Sequence, residues 1–183
     1  MQYQTAHLWE VIKHIMVSKI FSMVDRLSVF MGKLFSYLVI PVMLLEAVEV
    51  VLRYVFDSPT DWSWELAAHL SGMMFIMGAG WVLLDDKHVR TDLIYAKLSK
   101  RGQALLDVIF FTIIFFSFTG VLTYKSWTKA IYSTQIFERT FSMWGPPLFP
   151  LKLVIATGFT ILLLQGIVKW SRSLCYLFTG REI

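Results

Sequence analysis

Four long apolar runs, separated by polar stretches, dominate the hydrophobic pattern of the chain. The runs cover roughly residues 34–56, 66–84, 104–124 and 151–170. About 20 apolar residues in a helix cross the hydrocarbon core of a bilayer, and these runs lack the alternation of membrane-barrel strands. The pattern therefore predicts an all-α integral membrane protein with four transmembrane helices.

The segment before the first run is amphipathic. Its polar positions recur three or four residues apart, at Glu10, His14, Ser18, Ser22 and Asp25. A helix with this pattern lies either in the headgroup plane of a membrane or against other helices, and the sequence permits both. In the first arrangement, basic side chains would contact phospholipid headgroups. The candidates for these contacts are Lys13, Lys19, Arg26 and Lys33.

Two loops also carry signs of interfacial structure. Thr91 can cap a short helix over residues 91–98, whose apolar side chains would dip into the membrane interface. Residues 127–149 hold six aromatic side chains beside a Gly-Pro-Pro sequence. These features predict an aromatic belt and a sharp reversal of the chain on the outer side.

The pattern divides the chain into an interfacial helix over 1–30, a four-helix domain over 31–175 and a tail over 176–183. Orientation follows from the 17 basic residues. Four precede the first run, five lie between the second and third, and three lie at the end of the fourth run or after it. Because Lys and Arg concentrate in cytoplasmic loops, we expect both termini and the middle loop in the cytoplasm.

Composition supports the membrane class. Hydrophobic residues make up 56% of the 183 residues and charged residues 16%, with a mean hydropathy of +0.60. Soluble domains are about 45–50% apolar and about 25% charged. The net charge of +4 follows the predicted cytoplasmic segments, so we do not expect nucleic acid as a partner. The single cysteine, Cys175, excludes an intrachain disulfide and fits a small apolar filler.

The sequence offers no constellation for catalysis or for a cofactor. Of the four histidines only His69 lies in a predicted span, so a bis-histidine haem site lacks its second ligand. Glu65 and His69 are four residues apart, but no second pair of ligands supports a metal site. The sequence has no phosphate-binding loop or nucleophile motif. We therefore expect neither an enzyme nor a bound cofactor or metal.

The first run contains charged groups that are costly in hydrocarbon. Glu46, Glu49 and Arg53 lie in its last third, and the last two are spaced for an ion pair. Three hypotheses follow for this group: an internal network between the first two helices, a contact surface for another membrane subunit, or an ion or proton relay. Further candidates open the second run, at Trp62, Trp64 and Glu65.

Small residues in the second run permit close approach of helices. The candidate interface positions there are His69, Gly72, Gly78 and Gly80. In the loop that follows, His88, Arg90 and Asp92 alternate with Val and Thr. Composition alone indicates a solvated, positively charged turn.

These features, in this order, resemble the small membrane subunit of tripartite ATP-independent periplasmic (TRAP) transporters, the DctQ-like family. The resemblance covers most of residues 31–170. It rests on Arg53-Tyr54, the polar hinge 57–61, the Trp62/Trp64-Glu65 start of the second run, Gly78-Ala79-Gly80, and His88-Val89-Arg90 with Asp92.

The resemblance implies a scaffold subunit in the inner (cytoplasmic) membrane of a bacterium or archaeon. A large, DctM-like permease subunit would bind the organic-anion substrate and sodium and move in an elevator-like manner. A periplasmic binding protein would dock on the outer face. The basic residues expected to meet it are Lys125, Lys129 and Arg139.

Two functions from other classes stay open on the sequence. A membrane anchor or assembly subunit of an electron-transfer complex would need haem or quinone contacts, which the histidine positions disfavour. A small independent channel would conduct ions without any partner subunit.

Overall fold

The computed structural model describes residues 2–85 and 99–179, and its described side chains begin at Ser18. Regular structure within these ranges is helical, apart from one isolated bridge between Arg139 and Pro147. The helices are α1 (Gln2–Ser36), α2 (Val39–Tyr54), α3 (Ser63–Leu84), α4 (Lys100–Phe110), a π-helical segment (Phe111–Phe115), α5 (Phe116–Gln135) and α6 (Phe149–Thr179).

Four helical stretches of the described chain are long and apolar enough to cross a membrane. They cover Ser18–Tyr54, Ser63–Leu84, Lys100–Gln135 and Phe149–Phe178. Each overlaps one predicted run, which confirms an all-helical fold with four candidate spans. The orientation, the three-part division of the chain and the interfacial position of the N-terminal helix stay predictions. The short helix expected over 91–98 lies outside the described residues.

The first candidate span is two helices rather than the single helix expected over 34–56. Helix α1 ends at Ser36, and α2 begins at Val39 after a tight turn in which the Ile40 amide donates to the Tyr37 carbonyl at 3.2 Å. Pro41 explains the break, because it has no N–H to donate to the Tyr37 carbonyl and its ring crowds that carbonyl. A proline in the first turn of a new helix is well tolerated.

The described half of α1 packs on α3 and α6. Gly32 lies so close to Trp81 that an added Cβ would approach the indole to 2.9 Å. The Ser28 hydroxyl is fully buried and donates to Gln165 of α6 at 2.8 Å. At Ser28 and Gly32, α1 therefore packs against other helices.

Helix α6 lies at the centre of the bundle, in contact with α1, α3, α4 and α5. Small residues bring it close to α3, since a Cβ on Gly158 would lie 2.7 Å from Ile76. A Cβ on Gly80 of α3 would lie 3.1 Å from Ile161. Two other predicted contact glycines are not tight, because Gly72 would meet only Leu151 at 4.0 Å and Gly78 would meet nothing within 4 Å.

A π-helical turn interrupts the third candidate span between α4 and α5. Here the Phe116 amide donates to the carbonyl of Phe111, five residues earlier. The turn places the Phe115 ring against Gly166 of α6, where an added Cβ would come within 2.1 Å. The Trp170 indole donates to the Thr112 hydroxyl at 3.0 Å, so the irregular turn is held to α6 by packing and by a hydrogen bond.

Candidate functional site

The end of α2 carries a buried carboxylate with three donors. The Arg53 guanidinium lies 2.6 Å from the Glu49 carboxylate, one helical turn away. The Thr60 hydroxyl also donates to Glu49, and the Thr60 amide lies 3.3 Å from the same oxygen. Glu49 is 7% exposed, whereas half of the Arg53 side chain is accessible. We call Glu49, Arg53 and Thr60 the hinge cluster.

The local fold explains how Thr60 reaches Glu49. After α2 the Ser58 amide donates back to the Leu52 carbonyl at 3.0 Å, which turns the chain toward the helix it has left. Asp57 adopts a left-handed conformation with φ of 47°, which aspartate tolerates better than most residues. The polar "DSPTDW" stretch is therefore a compact reversal that returns a threonine to the carboxylate.

Glu65 belongs to a different cluster. Its carboxylate accepts a hydrogen bond from the Ser142 hydroxyl at 2.8 Å, and the Thr140 hydroxyl lies 3.5 Å away. The Ser142 hydroxyl in turn accepts from the amide of Gly145, whose φ is +59°. The contact shows that loops 55–62 and 136–148 lie at one end of the bundle, which we call the loop end. Glu65 thus ties α3 to the second loop and does not join Glu49.

The 136–148 loop is held by further contacts. The Thr140 amide donates to the Pro146 carbonyl at 3.1 Å, and the Leu148 amide donates to the Glu138 carbonyl at 2.9 Å. The Glu138 carboxylate forms an ion pair with Lys152 at the start of α6, and this charged hydrogen bond lowers the pKa of Glu138. A loop held by these contacts can present a constant surface to a partner.

Aromatic and basic side chains surround this loop. Trp62 and Trp144 contact each other with ring centroids 6.4 Å apart, and Trp64 is 75% exposed. His69, one turn further along α3, is half-buried. The basic residues expected to meet a binding protein are all exposed: Arg139 lies in the loop, whereas Lys129 and Lys125 lie six and ten residues before the end of α5. The loop end therefore combines accessible aromatic rings with accessible positive charge.

A second polar network joins α1 to α6 at the other end of the bundle. The Gln165 amide is fully buried, donates to Asp25 at 2.8 Å and accepts from Ser28 at 2.8 Å. Arg172 lies 2.7 Å from the other Asp25 oxygen and above the Phe21 ring. We call Asp25, Ser28, Gln165 and Arg172 the α1–α6 network. Sequence reasoning missed it, although a glutamine inside the fourth apolar run was a visible signal.

The remaining predicted residues are placed as follows. Glu46 is exposed on α2, and no described residue hydrogen-bonds or ion-pairs with it. Of the basic residues expected near lipid, Lys19, Arg26 and Lys33 are exposed, and Lys33 lies above the Trp81 ring at 5.9 Å. The side chain of Lys13 and the loop residues His88, Arg90 and Asp92 lie outside what the structure describes.

The described residues include a groove beside α2 and contain no metal-ligand cluster. The groove has a volume of about 200 Å³ between α2 and residues 60–63, and its walls are mainly Leu44, Val48, Leu52 and Trp62. Within the described ranges, no three His, Cys, Asp or Glu side chains lie together as metal ligands would. The groove is apolar and open to the side, which suits a hydrocarbon chain or an apolar side chain.

Four apolar candidate spans, with polar groups that pair helix to helix and helix to loop, define this chain as a multi-pass membrane protein. Residues 42–175 match the family described as "Tripartite ATP-independent periplasmic transporters, DctQ component". The match covers well over half of the chain, so the protein belongs to this family and is a small membrane subunit of a TRAP transporter. This confirms the family that the sequence motifs indicated. No match was found among curated proteins.

Proposed function

We propose that this chain is the scaffold subunit of a sodium-driven, binding-protein-dependent transporter for organic anions. In this role it braces the static part of a large elevator-type permease in the cytoplasmic membrane. The family supplies the large permease as a partner. Substrate and sodium would bind to that partner. This chain would contribute to transport by supporting the assembled complex.

The proposal is supported mainly by the partners of the polar side chains, which all lie within this chain. The carboxylate of Glu49 joins α2 to the hinge, that of Glu65 joins α3 to the second loop, and Gln165 joins α6 to α1. Each of these groups holds two segments of this chain together. A substrate site would instead present polar groups toward a shared cavity. The arrangement favours a rigid supporting body.

The loop end supports docking of a soluble binding protein. Arg139 is exposed in this loop and Lys129 near the end of α5, with Lys125 one turn before Lys129, while Glu138 is paired with Lys152. Exposed cations attract an acidic surface and accelerate its encounter, and salt weakens this effect. The predicted orientation places this end outside the cytoplasm, where such a protein is found.

Co-purification with the large permease component tests the proposal. The tagged chain, co-expressed with the untagged large component, should retain it through solubilisation and washing. In proteoliposomes the pair should take up solute with the binding protein and an inward sodium gradient, whereas this chain alone should not. Recovery of this chain without the large component, or ion conductance by this chain alone, contradicts the proposal.

A further inference from the structure

One exposed stripe of α2 differs from the rest of the helix surface because it carries an acid. Its members alternate four and three residues apart, and all are exposed: Val39, Met43, Glu46, Val50 and Arg53. Residues with this spacing share one side of a helix, and a helix can pack on a second helix along such a stripe. We call this set the Glu46 stripe.

Glu46 lies within the first predicted span, over 34–56, and well before the end of α2. It precedes Tyr54, the last residue of α2, by eight residues, which is about 12 Å along the helix axis. A glutamate side chain is too short to span that distance. A carboxylate that faces hydrocarbon at this depth is strongly unfavourable unless it is paired or hydrogen-bonded.

The described part of this chain does not supply the missing donor. The Arg53 guanidinium is engaged with Glu49 at 2.6 Å, and no described residue hydrogen-bonds to Glu46. The stripe therefore fits a second molecule that brings a basic or hydrogen-bond-donating group to this position. Lipid hydrocarbon offers no such group.

The other exposed side of α2 has a different character. Ile40, Leu44, Val48 and Val51 are between 46% and 63% exposed and carry no polar side-chain atom. Such a surface is well suited to lipid, since lipid tails are as apolar as these side chains. Helix α2 therefore has one side suited to lipid and one side suited to protein.

We propose that the Glu46 stripe packs against a helix of the large permease component, which places a donor opposite Glu46. The inference rests on the proposed function, which supplies this partner. A second copy of the chain fits less well, because a two-fold interface centred on the stripe would bring two Glu46 carboxylates together. Charge complementarity therefore favours a different chain.

Replacing Glu46 with leucine tests whether the Glu46 stripe contacts the large permease component. Because no described residue hydrogen-bonds or ion-pairs with Glu46, the Tm of the isolated subunit with Glu46→Leu should stay at the wild-type value. Recovery of the co-expressed large component should fall about tenfold, since its donor would be left unpaired. Glu46→Gln, which keeps an acceptor oxygen, should recover several times more than Glu46→Leu.

Two adjacent valines provide a matched control. Val50 lies on the stripe and Val51 on the apolar side, with similar exposures of 52% and 46%. A bulky side chain disrupts a packed helix seam but is accommodated by lipid. Val50→Trp should therefore reduce recovery of the large component about tenfold, and Val51→Trp should leave it within about twofold of wild type.

The possible outcomes test the contact of the Glu46 stripe separately from the proposed scaffold function. If Glu46→Leu leaves recovery of the large component unchanged, the proposed contact of the Glu46 stripe is wrong while the proposed function stands. The same holds if Val51→Trp reduces that recovery and Val50→Trp does not. Recovery of a differently tagged second copy that Glu46→Leu abolishes also overturns the proposed contact. If the wild-type chain does not recover the large component, both the proposed function and this inference are wrong.

Discussion

The Glu49 carboxylate lies 2.6 Å from the Arg53 guanidinium and also accepts hydrogen bonds from Thr60 beyond the end of the helix. One acid thus holds the last turn of α2 and the hinge in a single arrangement. Charged groups in a membrane span are costly unless they are satisfied, and these are satisfied within the chain. The relationship points to fastening rather than to contact with a transported solute.

Removing the charge of Glu49 should weaken the isolated subunit. In Glu49→Gln the ion pair with Arg53 is lost, and a donor amide group replaces one acceptor oxygen beside Thr60. We expect the Tm in detergent to fall by about 3–5 °C. Glu46→Gln, on the same helix but without a described partner, should leave the Tm unchanged and serves as the control. Equal shifts in the two variants would argue against the hinge cluster.

The close approach of α6 to the π-helical turn predicts different effects for two glycines. In Gly166→Ala the new Cβ would lie 2.1 Å from Phe115, and overpacking of this kind costs about 1–3 kcal/mol. Gly78→Ala meets nothing within 4 Å and should be neutral or stabilise by about 0.5–1 kcal/mol. Thermal unfolding in detergent compares the two, and an unchanged Tm in Gly166→Ala would contradict the packing.

The α1–α6 network predicts that Ser28 and Gln165 act together. Gln165→Leu should lower the free energy of unfolding by about 1–3 kcal/mol, because it leaves the Ser28 hydroxyl buried without an acceptor. Adding Ser28→Ala to that variant should cost less than Ser28→Ala costs in the wild type. A double-mutant cycle on unfolding midpoints measures this coupling, and strict additivity would show that the two side chains do not interact.

The Glu138–Lys152 ion pair predicts a pH dependence at the loop end. The pKa of Glu138 is lowered from its usual value of 4.5 in the folded protein. Its stabilisation is therefore fully present above pH 4.5 and is lost as the pH falls through the lowered pKa. Glu138→Gln should lower the Tm at pH 7, and the difference from wild type should shrink steadily below pH 4.5. A difference that is constant with pH would exclude the ion pair as its cause.

Much of the architecture could be predicted because it depends on the length and hydrophobicity of segments. The four apolar runs all correspond to candidate spans, and the spacing of Glu49 and Arg53 anticipated their contact. The break before α2 was also visible in principle, since Pro41 lies within the first run. The hydropathy of the run nevertheless does not reveal this break, because hydropathy is insensitive to the loss of a backbone N–H donor.

Other features depend on tertiary contacts that no local pattern contains. The sequence marks Glu65 as a candidate at the start of the second run, but its partner Ser142 lies 77 residues away in the sequence. The π-helical turn at 111–115 consists of ordinary apolar residues and a threonine, and only the tertiary structure shows that it brings Phe115 against Gly166. Gln165 is one polar residue in an apolar run, and only the approach of α1 shows what it binds.

The most direct test of a fastening role is the kinetics of solute uptake by complexes that carry Glu49→Gln or Gln165→Leu. Uptake in proteoliposomes should be measured against solute concentration and normalised to the amount of assembled large component. If these residues hold the subunit together, the variants should assemble less complex, and each complex should show the wild-type KM. A KM changed several-fold in fully assembled complexes would show instead that these polar groups take part in transport.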